Sequence, residues 1–237
     1  MLLNCHTYYS YRYGTLSPKR LFEELKAKGH SCFALTDINN TSACLDFIQH
    51  APEQGIRPVV GIDFHNGAQQ QYIGIARNNL GFQELNEHLN AHTHTEEPFG
   101  PQAPVFSHCY VIYPMEGPVG SRHYAVGKDY RLKENEFVGI RPFQCRNLPF
   151  SKWRNHLHKL VVLQPVTFSS KRDFNAHRLL RAIDKSTLLS KLPKTEEALP
   201  DEVTMSEQEL ASVFAEYPVI LQNTKRLLDD CTISFEF

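Results

Sequence analysis

Strand-like and helix-like segments alternate over the first 90 residues of this chain, and this alternation limits the folds open to it. A short apolar strand at residues 1–5 precedes a helix that Ser17 and Pro18 open, an N-cap followed by proline at the first helical position. The later segments follow the same rhythm: strands at 32–35, 58–64 and 70–76, and helices at 42–50 and 81–90. This order predicts a parallel sheet covered by helices.

The pattern weakens between residues 91 and 120, where proline and glycine predict loop around one strand at 105–113. Regular segments then return and continue to the end of the chain. We predict strands at 136–140 and 160–163, a short helix at 150–158, a long helix at 171–185, and two final helices after a charged connector at 194–201. Ser206 and Glu209 form a capping-box pattern at the first of these final helices.

Polar side chains follow several of the predicted strands. Asn4 to His6, Asp37 and Asp63 all fall where a strand ends. Because the carboxyl ends of parallel strands meet at one edge of a sheet and carry its sites, these residues occupy active-site positions.

The overall charge is close to neutral, with 25 Lys and Arg against 26 Asp and Glu. No global positive field therefore attracts nucleic acid, and any such contact would be local. The six cysteines contain no C-x-x-C pair, and neither a signal peptide nor a long apolar run is evident. We expect reduced, buried cysteines, a cytoplasmic protein and no membrane partner.

Two short segments resemble the first motifs of a known family. Leu3-Asn-Cys-His-Thr7 and Leu35-Thr-Asp-Ile-Asn-Asn40 are similar to the L-H-x-H-(S/T) and L-T-D-H-G-N motifs of the PHP (polymerase and histidinol phosphatase) domain. This domain stands at the N-terminus of bacterial DNA polymerase III alpha subunits. The segment Gly55-Ile-Arg-Pro-Val-Val-Gly-Ile-Asp63 resembles the family's G-I-K-P-(I/V)-x-G-x-E. The closing residues, 231–237, resemble the passage from PHP domain to polymerase palm.

The resemblance implies an α/β fold of the distorted (β/α)7 barrel type. It places the barrel at residues 1-190 and a small helical tail at 191-237, which leads to a polymerase core that is absent here. The resemblance also implies a parent protein, the DNA polymerase III alpha subunit or a close paralogue. That parent is a template-directed nucleotidyltransferase of DNA replication or repair that uses Mg.

Family members hold metal ions through His, Asp and Glu side chains, and most of these ligands are replaced here. The vestigial metal-site positions that the resemblance assigns are Asn4, His6, Tyr13, Ile38, Asp63, Gln71, Phe143, Pro165 and Thr167. Only His6 and Asp63 keep good ligand chemistry, and one imidazole with one carboxylate does not hold a catalytic cluster of divalent ions. We therefore expect no catalytic residue and no metal cofactor in this domain.

The resemblance then implies a pseudoenzyme that braces the polymerase core and offers a surface to a proofreading exonuclease. DNA would be met through the parent protein. The alternative is a metal-dependent phosphoesterase or 3′–5′ exonuclease that binds Zn or Mn through an atypical set, His6, Asp37 and Asp63. Asp37 also has a structural interpretation, as a cap for the loop or helix that follows its strand.

A third hypothesis is contact with single-stranded DNA. Tyrosines 8, 9, 11 and 13 surround Arg12, and tyrosine beside arginine can stack on bases. Arg178 and Arg181 lie three residues apart on one helix, where they could touch phosphate. The simpler interpretations are that the tyrosines fill an emptied pocket and that the basic residues are solvated. For His88, His92, His94, His156 and His158 we likewise predict solvated surface positions.

Overall fold

The structure, a computed structural model, describes residues 1–115 and 131–236. Within these residues, eight strands form one curled sheet with the order β7-β6-β5-β4-β3-β2-β1-β8. The strands are β1 (Leu2–Cys5), β2 (Cys32–Leu35), β3 (Arg57–Asn66), β4 (Gln69–Ala76), β5 (Cys109–Pro114), β6 (Glu136–Ile140), β7 (Leu160–Val162) and β8 (Pro165–Val166). This curled sheet with its helices confirms the predicted fold class, a distorted barrel of the PHP type.

Strand direction departs from the prediction at one place. β4 runs antiparallel to both β3 and β5, whereas the other neighbouring strands are parallel. The cause is the tight connection at Gly67, which has a positive φ of 62° and joins β3 to β4. A two-residue link makes a hairpin, and parallel neighbours require a much longer crossover. The expectation of an all-parallel sheet was therefore wrong at β4.

Six α-helices are present in the described residues. They are α1 (Pro18–Ala27), α2 (Cys44–His50), α3 (Asn79–Thr95), α4 (Lys171–Asp184), α5 (Glu207–Val213) and α6 (Pro218–Asp229). The predicted caps are confirmed: Ser17 Oγ accepts from the backbone N–H of Arg20, and Ser206 forms a complete capping box with Glu209. These side chains satisfy N–H groups that have no partner within the helix.

Two segments differ from the sequence-based boundaries. The helix predicted to end at residue 90 continues to Thr95 and stops at Glu96, whose φ of 56° is left-handed. The helix predicted at 150–158 is replaced by three 3₁₀ helices, Pro142–Phe150, Lys152–Asn155 and Leu157–Lys159. Pro149 lies inside the first of them, and a proline there removes a backbone donor that an α-helix needs. Residues 116–120 of the predicted loop lie outside the described residues.

Apolar side chains cover both faces of the sheet. On one face, Phe33 stacks on Phe47 with ring centroids 5.1 Å apart. On the other, Leu3, Val59 and Val161 pack with Leu227 of α6. All six cysteines are free thiols and five of them are buried, as predicted. None of the helices in the described part of the chain is long and apolar enough to cross a lipid bilayer.

Hydrogen bonds attach α6 to the edge strand β7. The buried backbone N–H of Val162 donates to Thr224 Oγ1 at 2.8 Å, and Asn223 Nδ2 donates to the carbonyl of Leu160 at 2.9 Å. Arg57 Nη1 donates to the carbonyl of Leu228 at 2.7 Å. The last helix therefore covers backbone groups that an edge strand would otherwise leave without partners.

The first prediction concerns this attachment. Thr224→Val keeps the shape of the side chain and removes the acceptor of the Val162 N–H. Because a buried donor without a partner costs about 1–3 kcal/mol, we expect the free energy of unfolding to fall by about that amount in urea denaturation. The matched control is Thr95→Val on the exposed end of α3, which should change it little. Equal midpoints for Thr224→Val and the unsubstituted protein would contradict this account.

Candidate functional site

A buried carboxylate, Asp63, lies at the centre of the barrel mouth. It is on β3 and has no exposed surface. Its Oδ2 accepts a hydrogen bond from Asn4 Nδ2 at 3.0 Å, and Gln70 Nε2 donates to both carboxylate oxygens at 2.9 Å. Two imidazoles approach the same oxygen: His6 Nε2 and His65 Nε2 each lie 3.1 Å from Asp63 Oδ2. We call these five residues the Asp63 cluster.

The sheet brings the Asp63 cluster together. Asn4 is on β1 and His6 follows that strand, while Gln70 lies on β4 opposite His65. Asp63 and His65 are two residues apart on β3, so their side chains point to the same face. A bridge between Ile38 and Asp63 holds the loop after β2 against β3. The positions at the strand ends that the sequence indicated therefore meet at one edge.

A chain of hydrogen bonds extends from the Asp63 cluster to the C-terminal part of the protein. His6 Nδ1 lies 3.0 Å from Thr167 Oγ1, and that hydroxyl donates to Glu202 Oε2 at 2.7 Å. Arg141 Nη1 donates to Glu202 Oε1 at 3.1 Å. Because the Thr167 hydroxyl gives its proton to Glu202, its oxygen accepts from His6 Nδ1. His6 Nε2 lies 3.1 Å from Asp63 Oδ2, so the His6 ring joins the Asp63 cluster to this C-terminal pair.

The charge state of Asp63 reflects two opposing effects. Burial by itself would raise the pKa of this carboxyl group, but the neighbouring His65 and His6 outweigh burial and hold the pKa well below its usual range. His65 is 5% exposed. Although its Nε2 is close to Asp63, neither ring nitrogen has a hydrogen-bond partner within the described residues. Asp63 is therefore an ionised carboxylate enclosed by donors and imidazoles.

Asp37 belongs to a separate network. Its carboxylate accepts from the backbone N–H of Thr7 at 2.6 Å, from Thr7 Oγ1 at 2.7 Å and from Ser10 Oγ at 2.7 Å. Burial raises the pKa of Asp37, and the bonds from Ser10 and Thr7 oppose that shift. This pattern agrees with a structural role, although the loop that Asp37 organises follows β1 and not its own strand.

Tyr13 occupies the space beside the Asp63 cluster. Its ring centroid lies 6.0 Å from those of His6 and His65 and 4.6 Å from that of His177. Its carbonyl accepts from His177 Nδ1 at 2.8 Å. Tyr13 is buried, and burial raises the pKa of its hydroxyl. At the barrel mouth an aromatic side chain thus fills the space beside the two imidazoles.

Other predicted site positions fall outside the cluster. Gln71 donates to the carbonyl of Gln69, and Gln70 is the glutamine that reaches Asp63. Phe143 is largely exposed, and Ile38 packs in a small apolar group with Tyr13 and Phe168. Pro165 is a buried residue of β8 whose Cα pairs with that of Asn4.

The sequence analysis missed four residues of this network: His65, Gln70, Arg141 and Glu202. For His65 a signal was present, because Asp63-Phe-His65 places two ligand-type side chains two residues apart at a strand end. The position of Gln70 beside Asp63 depends on the register of the β3–β4 hairpin, which the sequence does not show. Glu202 lies 35 residues from its partner Thr167, and no local pattern indicates that contact.

The three arginines proposed for DNA contact are held in ion pairs within the chain. Arg12 Nη1 lies 3.2 Å from Asp184, Arg178 Nε lies 2.8 Å from Glu197, and Arg181 Nη2 lies 2.7 Å from Glu196. Arg181 is only 4% exposed. Both Arg178 and Arg181 are therefore paired within the chain, and Arg181 does not occupy the solvated position that the simpler interpretation gave it.

The histidines of α3 are also more structural than the sequence suggested. His88 Nε2 lies 2.7 Å from the hydroxyl of Tyr72, and its ring packs on Phe64 and Phe99. Burial, with a smaller effect of His92, lowers the pKa of His88 to about 4. The prediction of a solvated surface position was wrong for His88, which is half-buried, and it holds for His94, which is exposed.

The side chains at the barrel mouth do not fit the set of metal ligands that the family uses. Across residues 1–115 and 131–236, no group of three or more His, Cys, Asp and Glu side chains is arranged to hold a metal ion. The reason is visible in the contacts. Gln70 donates to both oxygens of Asp63 and Asn4 donates to Oδ2, and Asp37 is surrounded by donors from Thr7 and Ser10.

Comparison with known proteins shows what this chain is similar to. Residues 3–112 match the family model described as PHP domain. The resemblance is confirmed. The PHP-like chain is 24% identical to the DNA polymerase III subunit alpha of Escherichia coli K12, over 98% of this chain and 23% of that protein. The subunit of Halalkalibacterium halodurans is 25% identical over 90% of this chain and 21% of its own length.

The PHP-like chain therefore spans less than a quarter of the length of these curated relatives. Among solved structures, an amidohydrolase from Chromobacterium violaceum aligns with a TM-score of 0.33 and 19% identity. That alignment covers 40% of this chain and 34% of the amidohydrolase.

The second prediction follows from the lowered pKa of Asp63. Its folded-state pKa is below the usual value of about 4, so the stabilisation that ionised Asp63 contributes is present above about pH 5. It is lost as the pH falls through 4 toward the folded-state pKa. Asp63→Asn removes the charge, and we expect about 3 kcal/mol less stability at pH 7, the cost of breaking a buried pair.

Urea denaturation from pH 7 to pH 2 measures both effects. The Asp63→Asn protein should lose less stability on acidification than the unsubstituted protein does. Asp46→Asn, at an exposed position of α2, is the matched control and should follow the unsubstituted profile. Parallel profiles for all three proteins would show that Asp63 is not responsible for the acid dependence.

Proposed function

We propose that this chain is the N-terminal PHP-like domain of a DNA polymerase III alpha subunit, that it is catalytically inactive itself, and that it serves as a scaffold and docking domain. The observation that carries this proposal is the Asp63 cluster. In it, amide donors from Asn4 and Gln70 occupy the carboxylate oxygens that a metal ion would need. The alpha-subunit relatives, which align over 98% of the chain, support the parent protein.

The proposal that this domain is catalytically inactive rests on the chemistry of the side chains that could bind a metal ion. A catalytic metal cluster requires several anionic or imidazole ligands per ion. Ile38, Pro165 and Phe143 offer none, and Tyr13 is a buried phenol whose raised pKa keeps it protonated. We propose that no metal cofactor resides in this domain and that the Mg of the parent polymerase acts elsewhere in the longer protein.

The scaffold role rests on how many parts of the fold the polar network joins. It links β1, β3 and β4 through the Asp63 cluster, then passes through Thr167 to Glu202 and Arg141. A mouth that is closed by internal bonds is rigid and suited to support neighbouring domains. The partners we propose are the remainder of the alpha subunit and a proofreading exonuclease, with DNA met through the parent protein in the cytoplasm.

One observation favours a second candidate, a phosphoesterase or 3′–5′ exonuclease with an atypical ligand set. His65 is buried beside Asp63 and its ring nitrogens have no hydrogen-bond partner in the described residues. With His6 and Asp63 it would offer two imidazoles and a carboxylate, which are ligands that Zn²⁺ and Mn²⁺ accept. This ligand set contains His65 in place of the predicted Asp37, because the Asp37 carboxylate already accepts hydrogen bonds from Thr7 and Ser10.

The third prediction separates the two candidates. Elemental analysis of the purified chain, after loading with Zn²⁺ or Mn²⁺ and dialysis, should give well under one ion per chain, and an aryl phosphate should not be hydrolysed. The reason is that Asn4 and Gln70 donate hydrogen bonds to the carboxylate oxygens that an ion would need. A tightly held ion that disappears in Asp63→Ala, together with hydrolysis, would establish the second candidate. Asp46→Ala provides the control for a substitution without effect on metal.

The fourth prediction tests the parent protein. An immunoblot of cell extract with an antibody against this chain should detect a polypeptide roughly four times its length, because the chain aligns with 23% of the alpha subunits. That polypeptide should copurify with template-directed DNA polymerase activity. A native protein no longer than 237 residues would contradict the parent assignment while leaving the metal result untouched.

A further inference from the structure

The outer face of α4 presents apolar side chains to solvent. Arg172, Ala176, Leu179 and Ile183 follow one another at intervals of three or four residues along the helix. Because an α-helix has 3.6 residues per turn, this spacing places all four side chains on one face. All four are exposed, Leu179 at 52% and Ile183 at 55%. We call these four residues the α4 stripe.

The opposite face of α4 is used within the chain. Asp173, His177 and Arg181 succeed one another at intervals of four residues, and all three are buried. Beside them, Arg178 Nε lies 2.8 Å from Glu197. These contacts fix the rotation of the helix about its own axis, and the α4 stripe therefore faces away from the barrel.

The N-terminal end of the α4 stripe is positively charged. Lys171 and Arg172 are the first two residues of α4 and are exposed, and neither forms an ion pair or a side-chain hydrogen bond within residues 1–115 and 131–236. The amide dipoles already make a helix N-terminus positive, so cations there oppose the field of the helix. Asp173 does not offset them, because Arg20 donates to both of its oxygens at 2.9 Å. Helix stability therefore does not account for these two cations.

A partner that covers this surface has to supply apolar contact and negative charge together. From Arg172 to Ile183 the α4 stripe runs about 17 Å along the helix axis, the length of about three helical turns. Leu179 and Ile183 are four residues apart, so their side chains form a ridge against which a second helix can pack. A second copy of this chain would not supply the complementary charge from the same surface, because the α4 stripe contains no acidic residue.

We propose that the α4 stripe is a docking surface for an acidic amphipathic helix of a partner protein. Apolar side chains of that helix cover Leu179 and Ile183, and its carboxylates pair with Lys171 and Arg172. Exposed ion pairs contribute little affinity, so the apolar contact supplies most of it and the charges set the orientation. A single-stranded nucleic acid would match the cations but would meet aliphatic side chains where its bases need aromatic rings. The proposal rests on the docking role proposed above, to which it adds the surface and the chemistry of the partner.

Peptide display on phage tests the proposal with the 237-residue chain as bait. Random peptides of about 20 residues are long enough for an isolated helix to form. They are first depleted on a double variant, Leu179→Ala with Ile183→Ala, which removes peptides that bind elsewhere, and are then selected on the unsubstituted chain. The enriched peptides should carry net negative charge and have apolar residues at intervals of three and four positions.

Fluorescence anisotropy with the enriched peptides, synthesised and labelled, measures what each part of the surface contributes. Leu179→Ala with Ile183→Ala should weaken binding more than about tenfold, because both truncations remove apolar area that binding buries. Lys171→Glu with Arg172→Glu should weaken it about tenfold and reduce its dependence on salt. The charge pair is the independent test, since the peptides are not selected against it.

Two further pairs of substitutions are matched controls. Leu45→Ala with Leu80→Ala truncates leucines that are 48% and 55% exposed on α2 and α3. Lys26→Glu with Lys225→Glu reverses two exposed charges on α1 and α6. Both control pairs should leave binding within about twofold, and unchanged thermal melting should show that every variant is folded.

Three results would overturn the proposal: no peptide is enriched, the enriched peptides are basic or lack helical spacing, or the control pairs weaken binding as much as the α4 pairs do. Sedimentation of the chain alone addresses a second copy as the occupant. A dimer that dissociates when Leu179 and Ile183 are replaced by alanine would contradict the proposal. The metal measurement and the immunoblot do not depend on the α4 stripe, so the docking surface and the parent assignment can fail separately.

Discussion

The burial of one negative charge, that of Asp63, is the constraint on which the architecture of the barrel mouth depends. A carboxylate removed from water is tolerated only when charged partners and hydrogen-bond donors surround it. Here the donors come from β1 and β4, and imidazoles come from the loop after β1 and from β3 itself. Three separate segments must meet at one point, and this requirement fixes the strand ends relative to one another.

The same arrangement joins the barrel mouth to distant parts of the chain. The imidazole of His6 lies between Thr167 Oγ1 and Asp63 Oδ2, and the ring of Tyr13 packs beside it. Hydrogen bonds and packing within the chain thus occupy the space around the buried carboxylate.

Charge neutralisation also decides which surfaces remain available to partners. On α4 the guanidinium of Arg181 is directed inward and bonded to Glu196, and Arg178 is bonded to Glu197. The connection between β6 and β7 contains no acidic residue of its own, and its Arg141 pairs instead with Glu202, 61 residues away. Long-range pairing thus decides the charge that these arginines present.

Local sequence patterns predicted much of the fold, and the failures have physical causes. Ser17 with Pro18 and Ser206 with Glu209 located helix starts correctly, because a cap is an interaction between residues three positions apart. The end of α3 was placed too early, because Glu96 adopts a left-handed conformation that glycine would have indicated more clearly. The 3₁₀ helices were taken for an α-helix because their apolar spacing is similar.

The sequence by itself determined the order of the elements and the motifs that place Asn4, His6, Asp37 and Asp63 at strand ends. These are statements about residue identity and local backbone preference. Only the tertiary structure decided that His65 and Gln70 complete the Asp63 cluster, that Asp37 stands apart from it, and that Arg181 is buried. The reason is that each of these contacts depends on strand register or on partners distant in the chain, and no local pattern encodes the direction of a side chain toward them.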